Sequence, residues 1–190
     1  MTNSLLSEIE KIVQISEEEK AVILDLFRFK EFKNGDFFLK EGDVCKNVGF
    51  IKKGLVRYFI NDEGEEKTYE FGKENEFTSN YESFVPQLPS RQSIQFLENS
   101  KVWVISSSNL EKLYTSVANG ERFGRIVIGQ VFIETLKNLN SFYTDSPQQR
   151  YEDFIRKHPD LNQRISQYYI ASYVGVKPQS LSRIRKRITS

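Results

Sequence analysis

A chain of 190 residues with 38% hydrophobic residues, 15 Phe and 9 Tyr can build one ordinary domain and a smaller second one. One cysteine, Cys45, and one histidine, His158, exclude an internal disulfide and any Cys/His-ligated zinc, haem or iron–sulfur site, so neither metal nor cofactor is expected. No apolar run approaches the roughly 20 residues of a membrane span, and Met1-Thr2-Asn3-Ser4 lacks the basic-then-apolar form of a secretory leader, so a cytoplasmic protein without membrane contact is expected. The net charge of +1 is unevenly placed: Leu161 to Ser190 carries six basic residues and no acidic one, whereas the first 160 residues carry 21 basic against 26 acidic.

Leu5, Leu6, Ile9, Ile12 and Val13 recur at helical spacing. Ser16 followed by Glu19 has capping-box form and opens a second helix through about Phe29, with Val22, Ile23, Leu26 and Phe27 as its apolar side. From about Phe32 to Ile105 short strands with turn punctuation take over. Asn34-Gly35 and Glu41-Gly42-Asp43 are turns, Asn61-Asp62-Glu63-Gly64 is a hairpin tip, and Lys67 to Phe71 alternates as the returning strand. Strands resume beyond Pro86 and Pro89 with Ser93-Ile94-Gln95-Phe96 and Val102-Trp103-Val104-Ile105, which predicts an antiparallel sandwich or roll holding Cys45 as a small semi-buried thiol.

Ser108-Asn109-Leu110-Glu111 again has capping-box spacing and predicts a short helix to about Val117. The longest helix is predicted from Glu121 to about Tyr143. Its apolar face (Phe123, Ile126, Val127, Val131, Ile133, Leu136, Leu139, Phe142) is wide enough to pack on its own domain or to pair with a second copy, Ile126, Ile133 and Leu136 being the candidate pairing residues. Ser146-Pro147 marks a boundary, and the helix from Gln148 to Lys157 carries Tyr151, Phe154 and Ile155 inward and ends at His158-Pro159.

The segment from Ile170 to Ile184 has helix-turn-helix spacing. Ala171 suits a close helix crossing, Gly175 can take the positive φ of the turn, and Leu181 and Ile184 seat the second helix, with Pro178 in its first turn. The helix from Pro178 to Ile188 then offers Gln179, Ser180 and Arg183 as base readers, since Gln can pair with adenine and Arg with guanine in the major groove. Lys177, Ser182, Arg185, Lys186 and Arg187 are the expected backbone contacts, which add affinity and salt dependence.

A β-roll, a long helix and a C-terminal helix-turn-helix, in that order, resemble the Crp/Fnr family of regulators. The likeness is carried by Ala171-Ser172-Tyr173-Val174-Gly175-Val176 with Ser180-Leu181-Ser182-Arg183-Ile184-Arg185, and by the glycine-punctuated segments Asn34-Gly35-Asp36, Lys40-Glu41-Gly42-Asp43 and Ile51-Lys52-Lys53-Gly54-Leu55-Val56. The resemblance covers about Phe27 to Arg187. It implies an α+β chain with three parts: a cyclic-nucleotide-binding-like jelly roll with flanking helices over 1–118, a dimerisation helix over 119–145 and a DNA-binding helix-turn-helix over 146–190. It also implies a homodimer on near-palindromic double-stranded DNA, with RNA polymerase as a further candidate partner.

Family members that bind cyclic AMP have a Gly-Glu-Leu stretch, a short helix, then Arg-Ser or Arg-Thr. The corresponding region here is Asn75-Glu76-Phe77, then Thr78-Ser79-Asn80-Tyr81, then Ser90-Arg91-Gln92-Ser93, which makes Glu76, Arg91 and Ser93 the candidate effector-pocket residues. Asn75 in place of Gly, a stretched Glu-to-Arg interval and Gln92 in place of a small hydroxyl weaken an anion nest, so cyclic AMP is not expected to bind. A cupin-type metalloenzyme shares the double-stranded roll but needs histidine ligands, and residues 32–105 hold none; the chain reads as a non-enzyme. A ligand-sensing or protein-interaction module whose terminal helices only dimerise is the alternative.

Overall fold

The structure is a computed structural model and describes residues 4–189. Helix α1 (Ser4–Glu10) is followed by α2 (Glu17–Leu26), which starts on the expected capping box. The Ser16 hydroxyl accepts the Glu19 amide at 3.2 Å, and the Glu19 carboxylate accepts the Ser16 amide at 2.7 Å. α2 ends at Leu26, short of the predicted Phe29, because Phe27 turns to an extended conformation and Arg28–Phe32 forms strand β1. That strand pairs along its whole length with β8 (Ser100–Ser106), and the Phe29 ring meets Trp103 edge-on at 5.1 Å. Ladder bonds and an aromatic cross-strand pair outweigh a weak helical continuation here.

The remaining strands are β2 (Phe37–Leu39), β3 (Asn47–Lys53), β4 (Val56–Asp62), β5 (Glu65–Gly72), β6 (Phe77–Thr78) and β7 (Gln92–Phe96). They form two four-stranded antiparallel sheets, ordered β1-β8-β3-β6 and β2-β7-β4-β5. This is the predicted roll. Ile51, Val56, Ile94, Phe96 and Val102, contributed by both sheets, are fully enclosed between them, and Cys45 is buried among them. A second core lies outside the roll, where α1 and α2 pack with Phe50, Ile105, Leu113 of α4 (Ser107–Ser116) and Phe123 of α5 (Gly120–Thr144).

The cap of α4 is Ser106, two residues before the predicted Ser108: its hydroxyl accepts the Asn109 amide at 3.2 Å. The last residue of β8 thus caps the helix that follows, with no intervening loop. α5 begins one residue before the prediction. At Gly124 a Cβ would stand 2.5 Å from the Tyr114 hydroxyl, so glycine is what lets that ring lie on the helix. Burial there pushes the Tyr114 phenol up to about 12.

The chain divides into two compact units, Met1–Tyr58 with Phe71–Gln130 and Phe59–Glu70 with Val131–Ser190. The second contains the outer part of the β4–β5 hairpin, the C-terminal half of α5, α6 (Pro147–Lys157), the short α7 (Leu161–Arg164), α8 (Gln167–Val174) and α9 (Pro178–Thr189). α6 opens on a capping box between Ser146 and Gln149, one residue before the predicted Gln148, and closes on His158, where the sequence placed its end. The helices of the second unit bury Tyr151, Phe154, Leu161, Ile165, Ile170, Ala171, Val174, Leu181 and Ile184. Among the described residues, no helix is long and apolar enough to cross a membrane.

Candidate nucleic-acid interface

The turn between α8 and α9 is set by Gly175, whose φ of +78° is left-handed. The Gly175 amide bonds to the Ser172 carbonyl at 3.0 Å and the Val176 amide to the Ala171 carbonyl at 2.9 Å, the pair of bonds of a Schellman cap. The chain therefore leaves α8 sharply and re-enters a helix at Pro178. Ala171 is fully buried, and Leu181 and Ile184 turn inward at 1% and 8% exposure.

That seating fixes what α9 shows to solvent. Gln179, Ser182, Arg183, Lys186 and Arg187 are exposed, at spacings of three, four, seven and eight residues from Gln179, and so share one helical face. Ser180 and Arg185 are half-buried on its flanks, and Lys177 is exposed at the entrance to the helix. Gln179 and Arg183 hold no ion pair among the described residues.

Arg150 of α6 braces this arrangement, a role nothing in its amphipathic helix announces. Its guanidinium donates to the Val174 carbonyl at 2.9 Å and to the Asp145 carbonyl at 2.6 Å, and lies over the Phe142 ring at 5.0 Å. It thereby joins the C-terminus of α8 to the end of α5.

The outer part of the β4–β5 hairpin also touches the helix-turn-helix. The Thr68 amide donates to the Ser172 hydroxyl at 2.9 Å, which donates to the Glu66 carbonyl at 3.3 Å. Lys177 pairs with Glu65 at 2.7 Å, a bond that holds the Glu65 carboxyl below its ordinary range. Sequence spacing could not find these partners, which stand more than a hundred residues apart.

Each effector-pocket candidate has its own local setting. The Glu76 carboxylate accepts the Lys73 amide at 3.0 Å in the turn before β6, the Ser93 hydroxyl accepts the Glu41 amide at 3.0 Å, and Arg91 is exposed. The short helix, α3 (Tyr81–Phe84), starts directly after Asn80, which caps it by accepting the Ser83 amide at 2.8 Å. Ser79-Asn80-Tyr81, and not Asn75-Glu76-Phe77, thus stands in front of that helix. The Asn80 amide nitrogen donates to the Gln92 side chain at 2.5 Å, and the Tyr58 hydroxyl donates to Thr78 at 2.8 Å. Thr78, Asn80, Ser83, Ser90 and Ser93 are all buried. The Cys45 amide donates to Ser83 at 2.9 Å, and Ser90 accepts the Gln92 amide at the same distance.

On α5, Phe132, Leu136, Leu139 and Tyr143 follow one another at intervals of four, three and four and are 41–84% exposed. These are the intervals of a heptad pattern. Ile133 lies beside it, also exposed, whereas Ile126 is half-buried.

Residues 29–116 match the family model of the cyclic nucleotide-binding domain. Comparison with curated proteins gave no match. Among solved structures, a double mutant of CooA from Carboxydothermus hydrogenoformans aligns with a TM-score of 0.74 at 16% identity, over 100% of this chain and 85% of that one. A protein from Eubacterium rectale ATCC 33656 assigned to the Crp/Fnr transcriptional regulators gives 0.70 at 16% identity, over 92% and 84%. FixK2 from Bradyrhizobium japonicum gives 0.70 at 13% identity, over 86% and 84%. Residues 29–116 are therefore a cyclic nucleotide-binding domain, and the chain has the fold of the Crp/Fnr transcription regulators.

Proposed function

We propose that the protein is a cytoplasmic, homodimeric, sequence-specific DNA-binding transcription regulator of the Crp/Fnr type. The observation that carries this is the single polar and basic face of α9, held outward by Ala171, Leu181 and Ile184 within 30 residues that contain no acidic side chain. Gln179 and Arg183, with Ser180 on the flank, read bases; Lys177, Ser182, Arg185, Lys186 and Arg187 hold phosphates. Selection of preferred sites from random DNA tests the reading: a two-fold symmetric site is the expected product. An unenriched pool would instead favour a sensing or interaction module that binds no specific DNA.

Dimerisation runs through α5. Replacing both Leu136 and Leu139 with glutamate puts four charges into the paired seam, and sedimentation is expected to show a monomer. Its affinity for the selected site falls by about a hundredfold or more, because the two half-sites no longer bind as one unit. A dimer that survives the double substitution places the interface elsewhere.

The roll does not use cyclic AMP. The position before the short helix is the uncharged Asn80, already bonded to Gln92, and Tyr58 and Thr78 satisfy each other inside the roll. A nucleotide would have to break these buried bonds and replace them. Calorimetry is expected to give no saturable heat with cyclic AMP; micromolar binding that disappears in Arg91→Ala would overturn this.

A further inference from the structure

The tip of the β4–β5 hairpin reads Asn61-Asp62-Glu63-Gly64-Glu65-Glu66-Lys67, four carboxylates against one ammonium, and that ammonium is paired with Asp62. Glu63 and Gly64, at φ of +53° and +90°, make a tight turn, and the Gly64 amide bonds the Asn61 side chain at 3.0 Å. The tip's position against α8 is fixed by backbone groups: the Thr68 amide and the Glu66 carbonyl both bond the Ser172 hydroxyl. Further along β5, Glu70 accepts from Asn138 of α5 at 2.8 Å. An acidic tip is thus clamped beside a basic helix, and one of its carboxylates, Glu65, holds Lys177 at 2.7 Å at the entrance to that helix.

DNA needs the same ammonium. A lysine contributes to DNA affinity by neutralising a phosphate and releasing its condensed counterion, and a lysine already paired with a carboxylate contributes less. For Lys177 to reach a phosphate, either its bond to Glu65 breaks or the carboxylate is carried against the phosphate backbone; both oppose binding. We propose that the β4–β5 tip is an autoinhibitory clamp on the helix-turn-helix: Glu65 competes with DNA phosphate for Lys177, and Ser172 keeps the tip in place. The described arrangement is the lower-affinity one, and withdrawal of the tip raises affinity without altering the base-reading face. This rests on the reading of α9 as a DNA-binding helix.

The test uses the full-length protein and the selected DNA site, with affinities measured by fluorescence anisotropy across a salt series. Glu65→Gln keeps the side-chain shape and removes the charge; it is expected to bind about two- to fivefold tighter, the range of an exposed ion pair, with a salt slope steeper by about one phosphate contact. Lys177→Ala weakens binding, and adding Glu65→Gln to it restores nothing. Glu63→Gln removes an equal charge from the same tip without touching Lys177 and is expected to change affinity less than Glu65→Gln. If Glu65→Gln leaves affinity unchanged, or Glu63→Gln matches it, the competition for Lys177 is refuted.

The clamp has a readout that needs no DNA. Hydrogen exchange at the Thr68 amide is expected to be slow in the parent protein and faster in Ser172→Ala. Slow exchange together with no preference for any DNA would sink the DNA-binding reading, whereas specific DNA binding with a fast Thr68 amide would sink the clamp.

Discussion

Replacing Arg183 with alanine is expected to flatten base preference at one position of each half-site by roughly five- to 150-fold, the equivalent of about 1–3 kcal/mol for one bidentate contact. The side chain is exposed and engages no acidic partner among the described residues, so its loss leaves the helix seated and removes only what it does outside the protein. Lys186→Ala provides the contrast. Lys186 lies three residues further along the same face, beyond the N-terminal part that enters the groove most deeply, and its loss should weaken all sequences alike and lower the salt slope by about one. Competition against single-base variants of the selected site separates the two. If Arg183→Ala keeps the parent's ranking of variants and only weakens them together, Arg183 is a phosphate contact and the reading position lies elsewhere on α9.

Features set by local chemistry were legible in the sequence. Gly175 is the only glycine in the last 60 residues, and a left-handed turn four residues after a buried alanine leaves little choice of motif. Ser16 marked its helix because a capping box is closed by residues three apart, and Pro147 marked the next because proline suits the first turn of a helix. Where a distant partner decides, the reading failed. Arg28 and Phe29 look like the end of a helix until β8, more than 70 residues later, pairs with them. Ser108 resembles a cap, but the end of β8 had already supplied Ser106.

In the sensor, too, the fold decides which side chains meet. The resemblance points to Glu76 through a Gly-Glu-Leu-like stretch; its carboxylate accepts an amide in a local turn, and the buried position in front of α3 belongs to Asn80. An uncharged side chain there gave no signal, because what makes it informative is its bond to Gln92, twelve residues on across the fold. The Glu65–Lys177 pair and the Arg150 brace are longer-range versions of the same problem.

The largest structural effect is expected from Leu181→Ala. Leu181 is 1% exposed and touches no solvent-facing function, but it is the residue that, with Ile184, presses α9 into its unit. Truncating a buried leucine costs about 2–5 kcal/mol in lost transfer energy and residual cavity. A small unit holds a stability near the lower end of the ~5–15 kcal/mol usual for domains, so this is a large share of it. Specific DNA binding should fall with the folded fraction although no DNA-facing side chain has changed. Leu181→Met keeps the volume and is expected to cost less than about 1.5 kcal/mol and to retain binding. The measurement is urea denaturation followed by hydrogen exchange at separate amides: protection over 161–188 should drop in Leu181→Ala, while the amides of Phe96 and Val102, in the roll core, keep theirs. Equal loss in both places would mean that the two units unfold as one, and no loss in either would mean that α9 is not held by Leu181.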